Sequence, residues 1–386
     1  MAEPFKNFID AGVVRSIAEQ LRRAAPAVDA QGFEARALAG LDGLELKARV
    51  LQLAEALVAA IQATGADAHT ACTWLEAMLG PPGREDSDGD DLGSLRPSEA
   101  GLAGWPVWPL TEAVARLALP GHAERGLAAL QAMTQRFSAE FAIRHFIVAQ
   151  PGLALATLAR WTTHPSAHVR RLVSEGSRPR LPWGLRLQAL VADPSPTLPL
   201  LRALQDDASA YVRRSVANHL NDIAKDHPAL VAAWLAEHLP EASENRRALL
   251  KHASRSLIKA GDAAVLAAWG QGAAFKGTAR LVLSAPVVMV GESLGLEVTL
   301  ANPSRQRQPL VIDYAVHHAK AAGHTTAKVF KGWVLDLAPG ETRTLSKRHS
   351  FRPVTVRRYH AGAHGLDLRI NGRVVAEAGF ELRLPD

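Results

Sequence analysis

The residues best placed to do chemistry stand in a motif that recurs along the chain. Ser166-Ala-His-Val-Arg-Arg-Leu-Val and Ser209-Ala-Tyr-Val-Arg-Arg-Ser-Val align 43 residues apart, with a weaker echo at Ser243-Glu-Asn-Arg-Arg-Ala-Leu-Leu. In the first copy Arg171 and Glu175 are four residues apart, neighbours on one helix face. In the second, Tyr211, Ser215, Asn218 and Asp222 fall at i, i+4, i+7 and i+11, on a different face from the apolar stripe Val212, Val216, Leu220 and Ile223. Glu175 occupies in its copy the place of Asn218 in the next. Carboxylates so placed can stabilise developing positive charge or take a proton. The same pattern also describes an ordinary solvated face, with Arg171 and Glu175 as a simple ion pair.

Three further positions qualify. Glu140 lies among Phe137, Phe141 and Ile143 and is followed by Arg144, an expensive setting for a carboxylate unless it is paired or used. Its structural alternative is a pair with Arg144 or Arg136. Trp183 follows Arg178-Pro-Arg-Leu-Pro, where two prolines set the chain ahead of a helix start. It offers a face to a cation, although helical tryptophans are usually core, as Trp161 and Trp234 read. Arg170, Arg171, Arg178, Arg180, Arg213 and Arg214 cluster at or just after helix starts, where guanidinium forks suit phosphate. In each adjacent pair one member reads as solvated or structural.

The elements that must carry these residues are of two kinds. Up to about Trp269 apolar residues recur at helical spacing, as in Val14, Ile17, Ala18, Leu21 and in Leu46, Val50, Leu53, Leu57. A helical repeat of about 40–47 residues is the period of HEAT-like solenoids, whose stacked helix pairs leave an extended surface. After Gly277 the period becomes two. Strands are expected over 279–283, 294–300, 310–316, 326–337, 341–351, 365–370 and 373–384, with Asn371-Gly372 as a hairpin turn. About seven short strands predict an immunoglobulin-like β-sandwich. The expected organisation is a mainly α, HEAT-like helical-repeat domain over 1–269 and an all-β sandwich over 277–386. The acidic, Gly-rich stretch 80–104 is expected to be a mobile surface excursion.

Charge points to a polyanion. The sequence pI is about 9.7, and the segment 270–386 holds 16 Lys and Arg against nine Asp and Glu, a net +7. No signal peptide or apolar run of membrane-spanning length is legible, so a cytoplasmic protein without membrane contact is expected. Cys72 is the single cysteine, which leaves no disulfide framework and no cysteine-based zinc site. His317 and His318 point to opposite faces of a strand, and His360 and His364 lack a cysteine or carboxylate cluster. There is no phosphate-cradling glycine loop. Neither metal nor cofactor is expected.

Three stretches closely resemble the AlkC branch of the AlkC/AlkD family of HEAT-like-repeat DNA glycosylases. They are Arg136-Phe-Ser-Ala-Glu-Phe-Ala-Ile-Arg-His-Phe, then Val169-Arg-Arg-Leu-Val-Ser-Glu-Gly-Ser-Arg-Pro-Arg-Leu-Pro-Trp183. The third is Tyr211-Val-Arg-Arg-Ser-Val-Ala-Asn-His-Leu-Asn-Asp-Ile-Ala-Lys-Asp-His-Pro228. The opening Met-Ala-Glu-Pro-Phe-Lys and Leu44-Glu-Leu-Lys-Ala-Arg are similar to that branch too, and so is the β-tail, which AlkC relatives can carry and AlkD relatives do not. The resemblance implies hydrolysis of the N-glycosidic bond of alkylated bases such as 3-methyladenine and 3-methylcytosine in double-stranded DNA, without full base flipping. It implies Glu140, Glu175 and Asp222 as the acidic functional residues and Trp183 as the aromatic beside the lesion.

An alkylated base is already cationic and leaves without protonation, while charge builds on the deoxyribose. A carboxylate about 4 Å away contributes about 4 kcal/mol at an effective dielectric near 20. On that basis Arg144, Arg171, Arg178, Arg180, Arg214 and Asn218 are expected on the DNA. Lys331, Arg357, Arg358 and His360 join them, from the basic and aromatic segments 328–333 and 357–364, with one of Arg357 and Arg358 equally placed for the solvated face. A monomer with no obligate protein partner is expected. The alternatives are a helical-repeat scaffold that binds DNA or protein without catalysis, and a lesion binder.

Overall fold

The computed structural model describes residues 5–82, 92, 95–271, 273–320, 323–354 and 358–384. Among them, sixteen α-helices precede eight β-strands. The helices are α1 (Ala11–Ala24), α2 (Ala30–Leu38), α3 (Leu46–Gln62), α4 (Ala68–Ala77), α5 (Val107–Ala118), α6 (Ala123–Thr134), α7 (Ile143–Ala149) and α8 (Pro151–Trp161). They continue with α9 (Ala167–Gly176), α10 (Gln188–Ala192), α11 (Leu198–Leu204), α12 (Ala210–Ile223), α13 (Pro228–His238), α14 (Glu244–Ala253), α15 (Arg255–Ala260) and α16 (Ala263–Ala268). The strands are β1 (Thr278–Leu283), β2 (Val287–Met289), β3 (Ser293–Ala301), β4 (Gln308–Ala319), β5 (Thr325–Leu337), β6 (Thr342–Ser350), β7 (Gly362–Ile370) and β8 (Arg373–Arg383). The mainly helical chain with its C-terminal β-sandwich is the class expected from the change in hydrophobic period.

The chain packs as two compact units. One holds Met1–Asp226 and Ser243–Ala253, the other His227–Ala242 and Ser254–Asp386.

In the first unit the stripes Val14, Ile17, Ala18, Leu21 and Val50, Leu53, Leu57 are fully buried. Asp10 and Asp67 cap α1 and α4 by accepting the amides of Val13 and Thr70. Each copy of the repeated motif begins a helix, and α12 packs between α9 and α14. The first arginine of each pair is structural. Arg170 donates to the His164 and Pro165 carbonyls, and Arg213 to those of Asp207 and Ala208, so each guanidinium closes off the turn before its own helix. Arg170 also forks onto Asp207 at 2.6 and 3.0 Å, fastening one repeat to the next. Only the ends of the expected acidic excursion are described. Gly80 donates its amide to Leu102 O at 2.9 Å, and Leu92 is buried; residues 83–91 and 93–94, and with them the expectation of mobility, lie outside the described residues.

The second unit contains two sheets, β1-β3-β6 and β2-β8-β7-β4-β5. All pairs are antiparallel except β2 with β8. Inward residues of both sheets interdigitate in two layers, one around Leu296, Tyr314, Val316 and Phe351, the other around Val298, Leu300, Ile312 and Leu368. The expected hairpin is present, with φ of 50° at Asn371 and 78° at Gly372. Gly372 is also needed for close approach, because a side chain there would meet the backbone of Gly261 at 2.7 Å. The three-residue strand β2 was not anticipated; it is too short to show a period.

Candidate active site

The expected acidic residues come together in one row of alternating charges: Glu140, Arg171, Glu175, Arg178, Asp222, Lys225. Arg171 Nη1 donates to Glu140 Oε2 and to Ser138 Oγ, the latter at 2.7 Å, and Ser138 Oγ in turn donates to Glu140 Oε2 at 2.8 Å. Its other nitrogen lies 3.5 Å from Glu175 Oε1. Arg178 bridges the next two acids, giving Nη1 to Glu175 Oε1 at 2.6 Å and Nε to Asp222 Oδ2 at 2.8 Å. Ser215 Oγ donates to Glu175 Oε2 at 2.6 Å, and Lys225 Nζ to Asp222 Oδ1 at 2.8 Å.

Helix geometry makes the row. Glu175 is on α9, Ser215 and Asp222 on the adjacent α12, and Arg178 in the loop that leaves α9. Glu140 stands in the turn before α7, and its partner is Arg171, not the Arg144 or Arg136 of the structural alternative. The polar face of α12 is corrected. Ser215 and Asp222 are buried against α9, Asp222 at 1% exposure, while Tyr211 and Asn218 on the same face are partly exposed.

At Glu175 and Arg178 burial raises the cost of charge, and the partners outweigh it. Burial alone would raise the Glu175 carboxyl, but Arg171 and Arg178 together with the Ser215 and Arg178 hydrogen bonds hold it below the ordinary carboxylate range. Burial likewise opposes the charge on Arg178, and Glu175 and Asp222 more than restore it. The neighbouring His219 is the reverse case. Fully buried, it is pushed down to about 4 and stays neutral, donating Nδ1–H to Ser174 O at 2.9 Å. Sequence reasoning had no signal for His219, nor for Ser138, which acts across 33 residues.

Trp183 is 64% exposed and has a φ of 62°. A left-handed backbone is costly for a bulky residue, on the order of 1–3 kcal/mol, and persists only where neighbours enforce it. Two cations do so. Lys47 Nζ donates to the Trp183 carbonyl at 2.8 Å, and Arg144 Nε to the Leu185 carbonyl at 2.5 Å. Arg144 Nη1 also donates to Gly176 O at 2.9 Å, at the end of the helix that carries Glu175. The exposed ring of Phe5 stands edge-on to Trp183 at 6.5 Å.

Arg144 requires correction as a DNA contact. It is completely buried, and its charge faces burial and Arg178, which bring it down to about 10. It is a strut between the Glu175 helix and the Trp183 loop.

The remaining expected DNA contacts are dispersed. Arg180 is forked onto Asp226, both bonds 2.6 Å. Arg214 is exposed on α12, and Asn218 Oδ1 is 2.9 Å from His252 Nε2 on α14. In the second unit Lys331 is exposed on β5, while Arg358 and His360 precede β7 in non-strand chain; Arg357 lies outside the described residues. Among the described residues no group of three or more His, Cys, Asp or Glu is arranged to hold a metal ion. No helix there is long and apolar enough to cross a membrane.

Stacked helical repeats with a buried row of alternating charges, followed by an immunoglobulin-like sandwich, define a HEAT-like-repeat protein with an appended β-domain. Residues 277–384 match the family described as "Uncharacterised protein YhaZ, C-terminal Ig-like domain". Protein YhaZ of Bacillus subtilis is 40% identical over 266 residues, covering 68% of this chain and 72% of that protein. The solved structure of Pseudomonas fluorescens alkylpurine DNA glycosylase AlkC, bound to DNA containing an abasic site analog, is 35% identical. It superposes with a TM-score of 0.86 over 99% of this chain and 100% of its own. This chain belongs to the AlkC branch of the HEAT-like-repeat DNA glycosylases.

Proposed function

We propose that this protein hydrolyses the N-glycosidic bond of cationic alkylated bases in duplex DNA, 3-methyladenine and 3-methylcytosine among them, as the first step of base excision repair. The observation that carries this reading is the Glu140–Arg171–Glu175–Arg178–Asp222 row, set beside a strained, exposed Trp183 by struts from α3 and α7. The likeness to a protein described as an alkylpurine DNA glycosylase supports it.

The chemistry asks little of the protein. As the C1′–N bond breaks, its electron pair leaves with the base and cancels the base's positive charge, while the deoxyribose becomes oxocarbenium-like. Water then bonds to C1′ and gives up a proton, leaving an abasic sugar and a neutral base. Carboxylates fixed before the reaction stabilise the sugar cation without reorganising. Because Glu175 is held below the ordinary carboxylate range it is a weak base, so its contribution is electrostatic rather than proton abstraction. Arg171 and Arg178 also reduce that contribution below the roughly 4 kcal/mol of a bare pair. A labile leaving group makes the remainder sufficient. Trp183 stacks against the lesion's surroundings with the duplex bent and its base not fully rotated out, and the indole face suits the nearby positive charge. Arg171, Arg180, Arg214 and Asn218 in the helical unit, and Lys331, Arg357, Arg358 and His360 in the β unit, contact the DNA, while buried Arg178 positions Glu175 and Asp222.

A cationic leaving group needs no Lewis acid. Purified protein treated with a chelator is therefore expected to release free 3-methyladenine from methylated duplex at an unchanged rate. Release abolished by the chelator and restored by zinc or magnesium would overturn that chemistry. A protein that binds the same DNA but frees no base would be the scaffold instead.

A further inference from the structure

Beside Trp183, and outside the row of charges, the first unit contains a cavity of about 520 Å³ between α3, α5, α7 and the loop that carries Gly184 and Leu185. Its walls are largely apolar, with Leu51, Leu119, Phe141 and Leu185 among the side chains that line it. Phe141 is held in place by stacking on Trp108, their rings 4.7 Å apart. Into this lining project two polar groups, Glu112 from α5 and His145 from α7, with His145 Nε2 at 3.8 Å from Glu112 Oε2. Glu112 is buried. That burial pushes its carboxyl above the ordinary carboxylate range, and His145 opposes the shift. A carboxyl drawn toward its protonated form beside an imidazole offers both a donor and an acceptor.

We propose that this cavity receives a purine base, with Glu112 and His145 reading its hydrogen-bonding edge and the apolar walls covering its faces. The volume lies in the range of small-ligand sites, and a few convergent polar groups in an apolar lining are the usual basis of their specificity. A purine needs that combination, two flat apolar surfaces and a paired donor and acceptor at one edge. A phosphate does not fit. Arg116 at the rim is turned to Glu55 at 3.4 Å, Lys47 is spent on the Trp183 carbonyl, and an anion would meet Glu112. The inference rests on the proposed reaction, which releases such a base. The base arrives after its bond to the sugar has broken.

The test is equilibrium dialysis of the intact protein against labelled 3-methyladenine, run in parallel with single-turnover excision from methylated duplex. Saturable binding of one base per chain is expected. It should weaken at least about tenfold in Leu119→Trp, which fills the cavity, and measurably in Glu112→Ala, which removes the edge-reading carboxyl. Should Leu119→Trp fail to fold by thermal melting, Leu51→Phe fills the same space from α3. An unchanged excision rate in the filled variant supports capture of the freed base. A slowed rate with binding lost overturns capture after cleavage, because the cavity would then take a base still attached to its sugar. Wild-type protein that excises but shows no saturable binding, or a filled variant that binds as well as wild type, overturns the inference and leaves the proposed function standing. Binding without any excision defeats the proposed function and leaves the purine site.

Discussion

The two units of this protein treat charge in opposite ways. In the helical unit Glu175, Arg178 and Asp222 are buried at the centre of one alternating row, with Glu140 and Arg171 partly buried and Lys225 exposed at its ends, each held by its neighbours at hydrogen-bond distance. In the β unit the expected DNA-contacting cations stand at the surface, Lys331 exposed on β5 and Arg358 exposed before β7. The net +7 of residues 270–386 is therefore largely a solvent-facing charge, whereas the row is self-neutralising. The difference teaches which physics each unit can supply. Buried, preorganised charges act at short range with little screening by salt. Surface cations attract a phosphate backbone at longer range, release counterions and weaken steeply as salt rises.

The strongest way to break this comparison is to cut the row. Glu175→Gln and Asp222→Asn keep shape and remove charge, and each should slow single-turnover excision at least about tenfold while weakening DNA affinity less. Each also removes one of the two carboxylates that Arg178 bridges and leaves the other in place, so unfolding free energy should drop by about 1–3 kcal/mol. Rate and stability must be measured separately, by quenched single turnover and by urea titration. Normal rates in both variants would make the row purely structural. Glu140→Gln should cost less, because Glu140 is less buried and Ser138 can still accept from Arg171.

A second measurement sharpens the contrast through pH. His219 is held at about 4 against an ordinary value near 6.5. A base whose folded value is depressed contributes stability that is fully present above its unfolded value and is lost as pH falls toward the folded one. Glu175, also depressed, adds to the loss below the ordinary carboxylate range. The helical unit should therefore lose on the order of 3 kcal/mol between pH 6.5 and 4 from His219. Urea midpoints of wild type that stay flat across that window would contradict the neutral, buried assignment.

Trp183 offers a smaller and more diagnostic effect. Trp183→Gly removes the left-handed strain and should leave stability unchanged or raise it by about 1 kcal/mol, while excision falls several-fold. A residue that only filled space would lose stability first. The mildest effect belongs to the surface cations. Replacing Lys331 and Arg358 together by Gln should leave the melting transition within about 0.5 kcal/mol. It should lower the slope of log affinity against log salt by about one to two contacts. An unchanged slope would remove the β unit from the DNA.

Much of the fold was legible because it follows from local periodicity. The change from period 3.6 to period 2 near Gly277 marks where β1 begins, and Asn371-Gly372 announced its turn. The repeated Arg-Arg motif located three helix starts, and the expectation that one arginine of each pair is structural describes Arg170 and Arg213. Periodicity was silent where meaning depends on partners distant in sequence. Arg144 has the chemistry of a phosphate ligand and is a buried strut, because α7 happens to place it under the Trp183 loop. Nothing local distinguishes it from exposed Arg214.

The set of elements and the identity of the charged residues follow from hydrophobic spacing and turn chemistry, which are encoded within a few residues of each position. The state of those charges follows only from how the helices pack. Whether Glu175 is an exposed base or an anion locked by Arg178 and Ser215, and whether Trp183 packs inward or is forced outward by Lys47, depends on helices that meet from 40 and 136 residues away. Burial and electrostatics are properties of that meeting, because the free energy of a charge is set by what surrounds it in space and not by what precedes it in the chain.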